Sequence, residues 1–146
     1  MLLHIKLLNT RTFMKKLKCL LLLCLLGANL LAQEKQVDNT LNNIHKELTT
    51  KKTYSVNDEI LFTSGNEMFV LPRIKSWIGD SLSIIREQAV SVISHIGLKT
   101  QEAAFRQEAV RLLTIQANDK DASIAGAAHR YLTHFQPPRF YSRSLR

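Results

Sequence analysis

The sequence predicts an all-α protein, and three observations support this prediction. Apolar residues recur every three or four positions through several segments, which gives each segment one apolar stripe when it is helical. No segment of useful length alternates apolar and polar residues, as a half-buried strand would. With 146 residues, of which 45% are hydrophobic and 22% charged, the chain is long enough for one core and too short for two.

The N-terminal segment has the pattern of a secretory signal. Residues 14–32 read MKKLKCLLLLCLLGANLLA, in which three lysines precede an apolar run too short to span a bilayer, and small residues follow. We expect cleavage after Ala32 and translation from Met14, because the residues before Met14 add a second apolar stretch ahead of the lysines. The prediction is a signal peptide over residues 1–32, and a retained membrane anchor is the alternative.

Removal of the signal changes the charge and the cysteine content of the chain. The first 32 residues contain five of the 20 basic side chains and no acid, which leaves 15 basic against 12 acidic residues and a net charge of +3. Both cysteines, Cys19 and Cys24, are lost with the signal. The mature domain is therefore predicted to be free of cysteine, with no disulfide, thiolate metal site or cysteine nucleophile.

The first helix of the mature chain is predicted over about residues 36–50. Its stripe is more polar than those that follow and consists of Val37, Leu41, Ile44, His45 and Leu48. The polar residues 49–58 are predicted to be a linker, and residues 59–66 stay open between a short helix and a turn. Residues 33–65 thus form an N-terminal helix and linker, ahead of a repeat domain over residues 66–146.

Four later segments repeat one apolar phase. In the first the stripe is Val70, Ile74, Trp77 and Ile78; in the second it is Ile85, Ala89, Val92, Ile93 and Ile96; in the third it is Phe105, Ala109, Leu112, Leu113 and Gln116; in the fourth it is Ile124, Ala128, Tyr131, Leu132 and Phe135. Breaks are predicted at Gly97, at Asn118–Asp119 and at Pro137–Pro138. The segments are therefore separate helices, with Trp77 in the core.

A longer repeat of 39 residues relates these helices in pairs. It superposes Asp80 on Asp119, Ile85 on Ile124 and Ala89 on Ala128. A period near forty residues that contains two helices is typical of an α-solenoid. An ordinary four- or five-helix bundle is the alternative.

Residues 66–135 resemble a pair of HEAT repeats. The family pairs a helix A, often with a proline, with a helix B, and has an Asp in the turn between them and an Arg early in helix B. The block from Val70 to Gly97 matches this signature at Pro72, Asp80 and Arg86. The second block keeps Asp119 and has Ala125 in place of the Arg. The resemblance implies a short α-solenoid of two HEAT-like helix pairs, capped by the N-terminal helix.

The resemblance also implies roles for individual residues. Asp80 would accept hydrogen bonds from backbone N–H groups at the start of helix B, and Arg86 would reach an Asp of a neighbouring turn. The family acts as a non-catalytic scaffold whose B helices line a concave face. The positions on that face are Glu87, Ser91 and His95 in the first block and Gly126, Arg130 and His134 in the second.

The sequence provides no pattern for catalysis or for a cofactor. It has no G-x-S-x-G, P-loop or G-x-G-x-x-G motif. His129 and His134 are five residues apart, so on a helix they point about 140° away from each other and cannot share a metal ion as an i, i+4 pair does. We therefore expect no enzyme activity, cofactor, metal or small-molecule substrate.

The C-terminal tail is basic and aromatic. It contains Arg139, Arg143 and Arg146 with Phe140 and Tyr141, and no acid follows Asp121. We interpret it as a solvated tail that caps the last helix.

The function predicted from these features is an exported scaffold module that binds another protein, in the periplasm or outside the cell. Nucleic acid is not expected as a partner, and the membrane is one only during export. Self-association through the repeat ends is a further expectation. The alternatives are a helical enzyme accessory subunit and an anionic-surface binder that uses the C-terminal tail.

Overall fold

The computed structural model describes the backbone of residues 2–51 and 59–135 and the side chains of residues 14–51 and 59–135. Within these residues the chain forms five α-helices and two 3-10 helices and no strand, which confirms the all-α prediction. The α-helices are α1 (Leu2–Lys51), α2 (Glu67–Ile74), α3 (Ser83–Lys99), α4 (Ala103–Gln116) and α5 (Ala122–Phe135). The 3-10 helices are Glu59–Phe62 and Lys75–Gly79.

The chain divides into two compact units, Met1–Gln36 and Val37–Arg146. In the first unit the leucines from Leu20 to Leu26 are between 54 and 65% exposed, and Leu31 is 67% exposed. Among the described side chains, the helical stretch Met14–Lys51 is long and apolar enough to cross a membrane, judged by length and composition alone. A signal sequence and a membrane anchor both fit this observation.

The second unit begins with the C-terminal part of α1. The apolar residues of its stripe are buried, with Val37, Leu41, Ile44 and Leu48 each at most 4% exposed, and His45 is half-buried. The helix continues to Lys51, so the predicted linker begins later than residue 49. The threonine hydroxyls at 49 and 50 donate to carbonyls one turn earlier, which lets these polar residues remain helical.

Residues 59–66, which the sequence left open, form a 3-10 helix followed by a turn. Gly65 has φ of 93°, a left-handed conformation that glycine adopts without strain. Asn66 is buried, and its side-chain amide donates to the Ile60 carbonyl at 2.7 Å. That bond ties the start of α2 to the 3-10 helix Glu59–Phe62.

Helix α2 is short because of its composition. Pro72 lies inside it and removes one backbone donor, and the chain tightens into the 3-10 helix Lys75–Gly79 directly after Ile74. Trp77, which the stripe placed in the core, is 7% exposed. The two helical pieces together carry the predicted stripe of Val70, Ile74, Trp77 and Ile78.

The prediction that Gly97 ends a helix is wrong. Helix α3 runs on to Lys99, and Gly97 lies inside it at the contact with α4 and α5. A Cβ atom at this position would be 2.8 Å from the Cβ of Ala109 and 2.8 Å from the ring of Phe135. The missing side chain allows close helix packing here rather than a helix C-cap.

Helices α3, α4 and α5 pack on one another around a shared core. The stripe residues of α3 and α4 are buried except Phe105, which is half-buried, and in α5 Ile124 and Ala128 are buried. The loop at Asn118–Asp119 separates α4 from α5 as predicted. Contacts also join α2 to α4 and α3 to α5, so from α2 onward each helix contacts the next one, and α2 and α3 also contact the helix after it.

Candidate binding surface

One outward row of α3 carries three of the six residues that the HEAT resemblance placed on a partner-binding face. Glu87, Ser91 and His95 follow one another at intervals of four residues, and Lys99 continues the row to the end of the helix. Glu87, His95 and Lys99 are exposed and Ser91 is half-buried. We call these four residues the α3 ridge.

A first groove lies between α3, α5 and the C-terminal end of α1. Its volume is about 550 Å³. It is lined by Leu48, Ile84, Glu87, Gln88, Val90, Ser91, Ala127, Arg130, Tyr131 and His134. Four of the six predicted partner-binding residues, Glu87, Ser91, Arg130 and His134, therefore border a single depression.

A second groove lies beside the C-terminal half of α3. It has a volume of about 570 Å³. It is lined by Ile44, Glu59, Leu61, Phe62, Thr63, Gln88, Ser91, Val92, His95 and Lys99. Gln88 and Ser91 line both grooves, so the two depressions are neighbours along α3. Of the other two predicted residues, His95 borders the second groove and Gly126 borders neither.

The sequence did not indicate the residues that complete this surface from other elements. Phe62 stacks on His95 with ring centroids 5.0 Å apart, and the ammonium group of Lys99 lies 5.5 Å from the Phe62 centroid. Ile44 and Leu48 of α1 were predicted as core residues, and they also form part of the groove walls. Tyr131 was identified in the sequence only as a residue of the α5 stripe.

The charged groups of the two grooves balance each other. The first groove has Glu87 and Arg130, and the second has Glu59 and Lys99. Within the described residues, none of these four side chains forms an ion pair. The surface thus presents two acids and two bases that are available to a partner.

A buried ion pair joins the turns at the N-terminal ends of α3 and α5. Arg86 donates from Nε and Nη2 to the two carboxylate oxygens of Asp119, at 2.8 and 3.2 Å. Its Nη1 donates to the carbonyls of Asp80 and Ser81, at 2.9 and 3.2 Å. The Arg86 and Asp119 side chains are only 5 and 6% exposed. Arg86 therefore reaches the Asp of a neighbouring turn, as its expected role requires.

Electrostatics favour the charged forms of this pair. Burial raises the pKa of the Asp119 carboxyl, but the hydrogen bonds from Arg86 and from the backbone N–H of Asp121 outweigh burial, so the pKa is below its usual value. The same hydrogen bond to Asp119 raises the pKa of Arg86. The pair stays ionised at neutral pH and fixes the spacing of the two turns.

Asp80 connects the turn before α3 to α1. Its carboxylate accepts from the backbone N–H of Leu82 at 2.8 Å, which is the main cause of its lowered pKa, and from the ring of His45 at 3.3 Å. The His45 ring also lies against Trp77, with centroids 5.7 Å apart. His45 thus has a structural environment at the boundary of the core.

The described residues contain no group of three or more His, Cys, Asp or Glu side chains that could hold a metal ion. Each groove contains at most one of the residues that an enzymatic site would combine here, His95, His129, Glu87 and Glu108. The tail residues Arg139, Phe140, Tyr141, Arg143 and Arg146 lie outside the described residues. No protein-family model, curated protein or solved structure matches the chain.

Proposed function

We propose that this chain is an exported, non-catalytic module that binds another protein through the two grooves beside the α3 ridge. The observation that carries the proposal is the agreement between the predicted binding-face residues and the residues that line the grooves. The HEAT resemblance implied six positions on a binding face, and five of them border two neighbouring grooves, whereas Gly126 borders neither. The linings of both grooves combine apolar residues with polar and charged groups, and protein-binding surfaces commonly have such a mixed composition.

The architecture we propose is a short HEAT-like solenoid of two helix pairs, with α1 as its N-terminal cap. In such an array the A helices form one layer and the B helices another. The contacts of α2 with α4, and of α3 with α5, are those expected within two layers. The ion pair of Arg86 in one unit with Asp119, the turn residue of the next unit, supports the same arrangement.

Export is proposed from the first unit. Its basic start, its exposed leucines and the small residues near Ala32 suit a cleaved secretory signal. Cleavage after Ala32 would leave the docked part of α1, which begins at Val37, with the mature domain. The binding surface would then act in the periplasm or outside the cell.

Site-specific photo-crosslinking in the native host tests the binding surface. A photoreactive phenylalanine would replace His95 in the second groove or His134 in the first, since both side chains are exposed. The matched controls carry the same group at Gln101 or Gln107, which are exposed and outside both grooves. We expect one discrete crosslinked protein from both groove positions and from neither control. Equal crosslinking at all four positions, or none at the grooves, would refute the proposal.

The anionic-surface alternative retains one supporting observation. Residues 33–135 contain twelve basic and twelve acidic side chains, so Arg139, Arg143 and Arg146 carry the whole net charge of the mature chain. Deletion of residues 136–146 separates the two functions. It should leave groove crosslinking intact, whereas an anionic-surface binder would lose its salt-sensitive affinity for anionic vesicles.

A further inference from the structure

The proposed cleavage after Ala32 would make Gln33 the first residue of the mature chain. In the uncut chain the backbone nitrogen of Gln33 belongs to a peptide bond and is not nucleophilic. Cleavage turns it into an α-amine, and three carbons separate this amine from the amide carbon Cδ of the same side chain. A bond between the two atoms closes a five-membered ring, and such an intramolecular reaction is strongly favoured by proximity.

The structure leaves the side chain at this position accessible. Gln33 is exposed and lies in the first compact unit, Met1–Gln36. Among the described side chains of α1, Val37 is the first that is buried. After cleavage the first N–H groups of the shortened helix would have no carbonyl partner, and helix ends of this kind fray. Neither core packing nor the helix therefore opposes closure of the ring at Gln33.

The charge of a free terminus is also unfavourable at this position. An α-amine ordinarily has a pKa of about 8 and is mostly protonated at neutral pH. The chain is helical at Gln33, so the ammonium group would lie at the positive end of the helix dipole of the shortened α1. Ring closure replaces this cation with a neutral lactam N–H, and N-terminal acetylation removes a terminal charge in the same way.

From the proposed export and cleavage after Ala32, on which this inference rests, we infer that Gln33 is a modification site and that the mature protein begins with pyroglutamate. The unprotonated α-amine attacks Cδ of its own side chain and forms the lactam N–Cδ bond. The Cδ–Nε2 bond breaks, and Nε2 leaves as ammonia with a proton that the amine releases. The reaction consumes no oxidant, reductant or second substrate.

The modification would protect the short segment ahead of the buried stripe of α1. Aminopeptidases require a free α-amine, and residues 33–36 precede the first buried side chain at Val37. Exposed chain ends with few packing contacts are the sites at which proteolysis starts. A lactam at Gln33 thus gives the exported domain a terminus that these enzymes cannot shorten.

Mass spectrometry of the protein from its native host tests the inference. The chain is produced with its own N-terminal segment and a C-terminal affinity tag, and an Asp-specific protease that cleaves before Asp38 releases the peptide QEKQV, residues 33–37. We expect this peptide to be about 17 Da lighter than its unmodified form, because ammonia has been lost. QEKQV with a free amine would overturn the inference and leave cleavage after Ala32 intact. Another first residue, or an uncut segment, would overturn both.

Gln33→Glu is the matched variant, because it keeps the length of the side chain while its ionised carboxylate is a poor electrophile. We expect it to retain a free α-amine, and a broad-specificity aminopeptidase should shorten it and leave the unmodified sequence intact. Equal shortening of both proteins would contradict the protective role.

A second control excludes ring closure during purification. Isotopically labelled synthetic QEKQV is added when the cells are lysed and should stay largely uncyclised. If it cyclises to the same extent as the protein, the lactam forms during handling and the inference is wrong.

Discussion

The guanidinium group of Arg86 is buried and donates to the carboxylate of Asp119 in one turn and to the carbonyls of Asp80 and Ser81 in the other. Burial removes the hydration of both charged groups, and only their mutual attraction and well-aligned hydrogen bonds offset that cost. The net contribution of the pair to stability is therefore small, whereas removal of one partner is strongly destabilising. The pair therefore acts mainly to specify how the turn at Asp80 lies against the turn at Asp119.

A double-mutant cycle on this pair should show strong coupling. Arg86→Met and Asp119→Leu each leave one buried charge without its partner and should each lower the free energy of unfolding by about 3 kcal/mol. The double variant should lose at least about 1.5 kcal/mol less than the two losses added together. Urea denaturation followed by circular dichroism measures all four proteins. Strict additivity would show that the two side chains contribute independently.

The lowered pKa values of Asp80 and Asp119 predict a loss of stability in acid. A carboxyl whose pKa is lower in the folded than in the unfolded chain stabilises the fold above its unfolded pKa of about 4, and that stabilisation is lost as the pH falls through the folded pKa. The free energy of unfolding should therefore fall as the pH decreases from about 5.

Substitution of Asp119 measures how much this carboxylate contributes to the pH dependence of the free energy of unfolding. Asp119→Asn should give a shallower decrease with pH than the unmodified protein, because one carboxylate no longer releases its proton on folding. Glu102→Gln, at an exposed position without an ion pair in the described residues, is the control and should keep the original slope. Parallel slopes for the unmodified protein and Asp119→Asn would contradict the prediction.

At the residue scale, sequence periodicity identified buried positions well and long-range polar contacts poorly. The stripe residues Ile85, Ala89 and Ile93 are each fully buried, because helical spacing is a local property. The contact of His45 with Asp80 joins residues 35 positions apart, and nothing local to either residue encodes it.

At the scale of helices, two glycines inside α3 and α5 make a matched comparison. Gly97→Ala should destabilise the protein by about 1–3 kcal/mol, because the new methyl would overlap Ala109 of α4 and Phe135 of α5. Gly126→Ala should stabilise it by about 0.5–1 kcal/mol, because its nearest neighbour would be an Arg130 atom at an ordinary 3.7 Å and alanine favours the helix.

Thermal unfolding of the two alanine variants checks this comparison. Ala109→Gly in the Gly97→Ala background should recover part of the loss, because it removes one of the two overlaps. If both glycine substitutions stabilised the protein, α3 and α5 would not be in close contact at Gly97.

The wrong prediction at Gly97 shows that a local sequence pattern cannot distinguish a helix end from a close contact between helices. A glycine after a helical stripe is common at a helix C-cap, and no local feature of the sequence indicates that the helix continues to Lys99. The distinguishing contact, with Phe135, is 38 residues away. By contrast the break at Asn118–Asp119 was predictable, since both residues favour turns.

At the scale of the whole molecule, the candidate binding surface was predictable in part. The repeat phase placed Glu87, Ser91 and His95 on one face of one helix. It could not show that Ile44, Leu48 and Phe62 from earlier elements close the grooves, because those positions depend on how α1 and the 3-10 helix Glu59–Phe62 dock. Periodicity gives the direction of a side chain on its own helix, whereas a groove needs the placement of several elements.

The distinction between a solenoid and a bundle is also a property of the whole molecule, and duplication of one unit tests it. Residues 80–118 span one repeat length, and a second copy inserted after Asn118 would add one helix pair. In a solenoid each unit contacts only its neighbours, so an added unit extends the array. Asp80 of the copy would then take the place of Asp119 opposite the first Arg86, and the copied Arg86 would face Asp119.

We expect the duplicated protein to be monomeric, to gain helical signal in proportion to the added residues and to unfold in one transition at equal or higher temperature. A bundle closes its core around a fixed number of helices, so the same insertion should expose apolar surface and produce aggregation or a separate, weak transition. The matched control carries Arg86→Met in the inserted copy alone, which removes the ion pair from one junction. A selective loss of cooperativity in that control would locate the connection between units at the Arg86–Asp119 contact, and an insertion that aggregates would favour the bundle.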